Sequence, residues 1–189
     1  MNTELVATVN TNAAFAASGL RGVSFQFPWL SGLSSSFGKW RWDRVRFIYV
    51  PACPTSTPGT FSMSLQFDIA DSNPATIGQQ SQMYEFIQVP YWAGWEGAVC
   101  LNQPFIKPPA GSVVIDVDTA RFDKPWYQMS NFTDFGATQT FNAVLANSLC
   151  PFTLISGTSG VLAINVLAGY LYAQYDIEMI EPIVSSSNF

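Results

Sequence analysis

Two aspartates close the most regular stretch of the sequence, Phe67-Asp68-Ile69-Ala70-Asp71, just before Ser72-Asn73-Pro74. Carboxylates three positions apart, where an extended run gives way to a turn, can converge on one hard cation. Calcium takes roughly six to eight oxygens from carboxylates, carbonyls and amides. The same residues have a purely structural use: Asp71 can cap a helix that opens after Pro74, and Asp68 can be a solvated strand residue. A second pair, Asp116-Val117-Asp118, places two carboxylates on one face of a strand. Such a pair could serve a glycosidase as acid and base, or simply line a solvated face.

A third constellation is basic. Five of the eight Lys and Arg residues (Arg21, Lys39, Arg41, Arg44, Arg46) fall within 26 positions, and Trp40 and Trp42 interleave with them. Cations can meet phosphates while aromatic rings stack on bases, so Lys39, Arg41, Arg44 and Arg46 are candidate nucleic-acid-facing residues. The alternatives are an edge strand defended by charge, or ion pairs between subunits. In an extended segment Arg44, Arg46 and Ile48 share one face, and Val45, Phe47 and Tyr49 the other.

Other chemistry is excluded by what is missing. The chain has no histidine, which removes Ser-His-Asp and Cys-His catalysis, zinc-protease motifs and the usual transition-metal sites. Cys53, Cys100 and Cys150 are too few, odd in number and too widely spaced for a disulfide framework or a C-x-x-C zinc site. Reduced, buried thiols are expected. Asn131-Phe132-Thr133 is a glycosylation sequon, expected to go unused because no secretory signal is seen at the start.

The elements that must position these residues are short strands. Glu4 to Asn10 roughly alternates, Val45 to Val50 is a nearly continuous apolar run, and Thr60 to Ile69 alternates strictly. That last pattern predicts a half-buried strand with Ser62, Ser64, Gln66 and Asp68 on its wet face. Further strands are expected over Glu85 to Trp92, Ser112 to Val117, Ser148 to Ser156 and Tyr170 to Ile180. Short helices are expected over Trp29 to Phe37 and Pro74 to Met83. No repeat or linker divides the chain, so residues 1–189 are expected to form a single domain. Strands at this spacing with long connections suggest a two-sheet sandwich, of which the Greek-key jelly roll is one solution.

Composition bears on partners. Only 11% of residues are charged while 48% are hydrophobic and 15% aromatic, against about 25% charged in an ordinary soluble domain. A spanning helix needs about 20 consecutive apolar residues, and the best window, Val161 to Tyr175, is broken by Asn165, Gly169 and Gln174. Surface covered by other chains accounts for the low charge better than a membrane does, so an oligomer is expected. The net charge of −5 argues against a free-standing nucleic-acid binder.

Four stretches together resemble the shell domain of a sobemovirus coat protein. Phe27-Pro28-Trp29-Leu30-Ser31, followed by Arg41-Trp42-Asp43-Arg44-Val45-Arg46-Phe47, is similar to that family's opening helix and strand. Tyr49 to Gly59 resembles its proline-rich turn, and Phe67 to Asp71 its calcium segment. Tyr170 to Tyr175, Ile180 to Ile183 and the terminal Asn188-Phe189 resemble its last strand and tail. Tombusvirus shells share parts of the pattern.

The resemblance implies an eight-stranded jelly roll that self-assembles into an icosahedral virion around positive-strand RNA, with no enzymatic role, built in the host cytoplasm. It implies Ca2+ between subunits, held by Asp68, Asp71, the Asn188 side chain and the Phe189 carboxylate. A main-chain carbonyl near Met129 of a neighbouring copy would complete the site. The family carries a basic arm before the shell domain, whereas strand-like sequence here begins almost at Met1. Weak RNA binding and smaller or more uniform particles are therefore expected. The rival readings are a calcium-dependent lectin, which the six tryptophans permit, and a glycosidase built on Asp116 and Asp118.

Overall fold

The computed structural model describes residues 1–23, 26–34, 36–94, 113–129, 149–160 and 165–183. Nine strands and two short helices are found there: β1 (Asn2–Asn10), β2 (Ala16–Arg21), α1 (Pro28–Ser34), β3 (Phe37–Pro51), β4 (Thr60–Gln66), α2 (Ile77–Gln80), β5 (Tyr84–Pro90), β6 (Val113–Val117), β7 (Tyr127–Gln128), β8 (Thr153–Ser159) and β9 (Leu167–Pro182). One sheet runs β1-β9-β3-β6, with the two-residue β7 also on β3; the other runs β2-β8-β4-β5. Every pairing is antiparallel.

The connectivity is that of a jelly roll. Setting β7 aside, the chain changes sheet at each step from β1 to β4, forms the β4–β5 hairpin, and then resumes crossing. This matches the expected fold class. Two elements were illegible in the pattern. β2 (Ala-Ala-Ser-Gly-Leu-Arg) has almost no β-branched or aromatic residues. β7 is only two residues long and is held by pairing with Lys39 and Trp40.

β3 and β9 form the spine, paired from Phe37↔Pro182 to Pro51↔Gly169. A register shift between Trp42 and Arg44 lets Trp40 and Trp42 face the core before it and Val45, Phe47 and Tyr49 after it. The main core cluster draws on both sheets and includes Phe27, just before α1, and Leu30 within it. It is dominated by rings: Trp42 lies 5.1 Å from Phe27 and 5.1 Å from Tyr175, and Tyr49 stacks on Phe61 at 4.2 Å. Pro51, Pro54 and Pro58 then carry the chain out of the strand, since proline cannot extend a ladder.

The strand over Thr60 to Ile69 departs from expectation in two ways. It ends at Gln66, and it is buried on both faces rather than one. Ser62 and Ser64 are at most 2% exposed. The α2 segment covers them: Ser62 Oγ donates to Gln80 Oε1 at 2.6 Å, Ser64 Oγ approaches Met83 Sδ at 3.5 Å, and Gln80 Nε2 donates to the Ile155 carbonyl at 3.1 Å. The alternation is real, but its polar half meets an amide-bearing lid instead of water. Gly157 makes room for that lid, because a Cβ there would stand 2.6 Å from both Gln80 Oε1 and Ser62 Oγ. Asp71 does not cap this helix; Thr76 does, its side chain accepting from the Gln79 N–H at 3.2 Å.

Candidate functional site

The acidic segment after β4 keeps its shape through Asp68. Asp68 Oδ1 accepts from the Ala70 N–H at 2.9 Å, and the Asp68 carbonyl accepts from the Asp71 N–H at 3.4 Å. Ile69 turns inward to pack with Val23 and Cys150, so the carboxylates on either side of it are both exposed. One apolar anchor thus presents two acids on the same short turn. Met129 donates its N–H to the Gly38 carbonyl at 2.9 Å, next to β7. Asn188 and Phe189 lie outside the described residues.

The donor set at Asp68 and Asp71 suits a hard cation: exposed, ionisable oxygens with no sulfur or nitrogen among them. Among the described residues no three His, Cys, Asp or Glu side chains gather as metal ligands. Two carboxylates alone fall short of a calcium shell, so any such site needs oxygens from main chain, from the chain's end or from another copy.

The basic cluster lies on β3, a central strand, which rules out the edge-strand reading. Its cations face the acids of β9 and β6. Lys39 Nζ meets Glu181 at 2.6 Å, an Arg41 guanidinium nitrogen meets Glu178 at 2.6 Å, and Arg46 Nε meets Asp116 at 2.7 Å. Arg44 stands in register opposite Asp176. Trp40 and Trp42 are buried in the core. Their indole N–H groups donate to the carbonyls of Gln128 and Gly22 at 3.2 and 3.1 Å, so neither ring is available to stack on a base. The spacing of cations and tryptophans is strand alternation: rings inward, charges outward.

Asp116 and Asp118 do not share a strand face either. β6 ends at Val117, and Asp118 instead opens a 3₁₀ turn over Thr119–Arg121, accepting from the Ala120 N–H at 3.1 Å. Near them lies Glu85, set in β5 with φ of 52° where the β4–β5 register slips. Partial burial, followed by the charges of Asp116 and Asp118, raises the Glu85 pKa, while Arg121 opposes the rise. Sequence reading missed this acid because nothing local marks it; a bulge and a second sheet bring it into the group. Cys53 and Cys150 are free and buried, and burial pushes the Cys150 thiol up to about 12. Cys100 and the sequon lie outside the described residues. Among the described residues no helix is long and apolar enough to cross a membrane.

The residues thus build a two-sheet antiparallel jelly roll with paired charges on one sheet face and an acidic turn at a strand end. The family model for the viral coat protein (S domain) matches residues 2–185, and the chain belongs to that family. It is 37% identical over 191 residues to the capsid protein of tobacco necrosis virus (strain D), covering all of this chain and 69% of that one. Against strain A the identity is 36%, over 85% of this chain and 56% of the relative. The solved tobacco necrosis virus structure superposes with a TM-score of 0.90 at 37% identity, over 99% of this chain and 97% of that one. The cocksfoot mottle virus structure superposes with a TM-score of 0.86 at 19% identity, covering 99% and 84%, which speaks for the fold. The protein is thus a structural coat protein, and these relatives lend the lectin reading no support. The resemblance to a coat-protein shell domain holds, but not to sobemoviruses in particular: identity is 37% and 36% to the tobacco necrosis virus proteins, against 22% to the cocksfoot mottle virus capsid protein.

Proposed function

We propose that residues 1–189 act as one shell unit, many copies of which close into an icosahedral virion around positive-strand RNA, assembled in the host cytoplasm. The observation that carries this reading is the match of the coat-protein S-domain family along residues 2–185. Each contact between copies need only be weak, because a closed shell sums many of them. Sobemovirus-like features, the calcium segment among them, sit here on a chain of higher identity to the tobacco necrosis virus coats.

Calcium joins the copies. Asp68 and Asp71 supply carboxylate oxygens, Asn188 and the Phe189 carboxylate supply more, and a carbonyl near Met129 of a neighbouring copy completes the shell of ligands. The metal offsets repulsion between acids that meet at a seam. Exposure of both aspartates on an anchored turn supports this role. The test is chelation: purified particles treated with a calcium chelator at mildly alkaline pH should swell or dissociate by light scattering. Particles of the Asp68→Asn, Asp71→Asn double variant should already be loose and gain nothing from added calcium. If that variant's particles match the parent's resistance to the chelator, calcium bridging by this turn is wrong.

A further inference from the structure

Setting the two-residue β7 aside, the two open sheets have four edge strands among the described residues, β1, β6, β2 and β5. An edge offers unpaired N–H and C=O groups to any other strand, and proteins ordinarily blunt it with charge, proline or bulges. Three of these edges are blunted. β1 carries Glu4 and two register shifts. β5 carries Glu85 at positive φ, a register shift and Pro90. β6 is five residues long and bears Asp116. β2 has none of these devices until its last residue. Ala16-Ala17-Ser18-Gly19-Leu20 is uncharged, and β2 as a whole pairs with β8 through six consecutive positions without a shift.

The direction of β2's outward groups can be read from its ends. Gly22 donates to the Phe152 carbonyl at 2.8 Å, toward β8, while the Arg21 N–H turns the other way to Gln26 Oε1 at 2.7 Å. The two-residue period of a strand then points the N–H and C=O of Gly19 and Ala17 away from β8 as well. Among the described residues, no strand pairs with that side. Ala17 and Gly19 are placed symmetrically about Ser18. A second β2, antiparallel and related by a two-fold axis at Ser18, would therefore match Ala17 of each copy with Gly19 of the other, forming four backbone hydrogen bonds.

We infer that β2 is an assembly edge, at which one copy adds to a second copy strand to strand about Ser18. This rests on the self-assembling shell reading and names a contact within it. The two strands would join two four-stranded sheets into one continuous sheet across the pair, and the small residues Ala17, Ser18 and Gly19 let the backbones approach.

Hydrogen–deuterium exchange followed by mass spectrometry tests this on the whole chain, comparing associated protein with protein dispersed by dilution. The peptide spanning residues 16–21 should exchange slowly only in the associated form. Ser18→Asp, which sets like charges face to face across the axis, should abolish that protection. Ala17→Pro, which removes an outward donor and leaves the β8 ladder intact, should do the same. Circular dichroism would confirm that both variants fold, and the parent's exchange pattern stands as a test without them. Association with residues 16–21 still exchanging freely overturns the β2 contact and leaves the shell reading standing. Protection already complete in the dispersed protein, as when another stretch of the same chain lies on this edge, also overturns it. Failure of the parent to associate at any concentration overturns both.

Discussion

Arg46 is the most demanding residue of the outer sheet face. Its side chain is 9% exposed while that of its partner Asp116 is 57% exposed, so the buried half of the pair is the cation. A buried guanidinium loses hydration and needs its counterion, whereas a carboxylate at the surface can fall back on water. Lys39 and Glu181 form an equally short contact but stand 40% and 54% exposed, where a pair contributes little. Asp116→Asn should therefore lower unfolding stability by about 1–2 kcal/mol. Glu181→Gln should cost less than about 1 kcal/mol. Chemical denaturation of both variants checks this; equal losses would mean that Arg46 finds its stabilisation elsewhere. Sequence reading placed Arg44 and Arg46 opposite Val45, Phe47 and Tyr49 correctly, because alternation is local. It did not find their partners, because Asp116 is 70 positions away and becomes a neighbour only when β6 pairs with β3.

At the scale of elements, the meeting of β5 and β6 responds to pH. The Glu85 carboxyl is raised by its surroundings, so the folded state holds that proton more tightly than the unfolded chain does. This contribution is neutral to stability below the ordinary carboxylate range. It becomes a penalty as pH climbs through the raised value, and the penalty persists above it. Glu85→Gln should remove the slope, so that its melting temperature gains on the parent's as pH rises above the ordinary carboxylate range. A parent and variant with parallel profiles would show that solvent screens the group. The strict alternation of β4 and the apolar run within β3 were legible in the sequence, and strands were also expected at β1, β5, β6, β8 and β9. β2 was not, since Ala and Gly carry no strand signal. The second buried face of β4 was equally hidden, because serine and glutamine look wet until a lid with matching amides closes over them.

For the whole molecule, charge decides how RNA is met. The chain carries −5 overall, and the cations on β3 face carboxylates of the same chain. Phosphates arriving at that face would have to displace Glu178, Glu181 or Asp116 and gain little net attraction. RNA binding by this chain alone should be weak, with a log–log salt slope on the order of −2 or shallower in filter-binding titrations. A steep slope would mean that several cations are free to release counterions.

The lid of α2 over Ser62 and Ser64 has a geometric outcome at this same scale. One broad side of the slab carries the α2 segment; the opposite side carries the ion pairs that β3 makes with β6 and β9. A tile whose obverse and reverse differ cannot be laid upside down without changing what it touches. Such sidedness is what a pavement needs in order to curve consistently toward one centre.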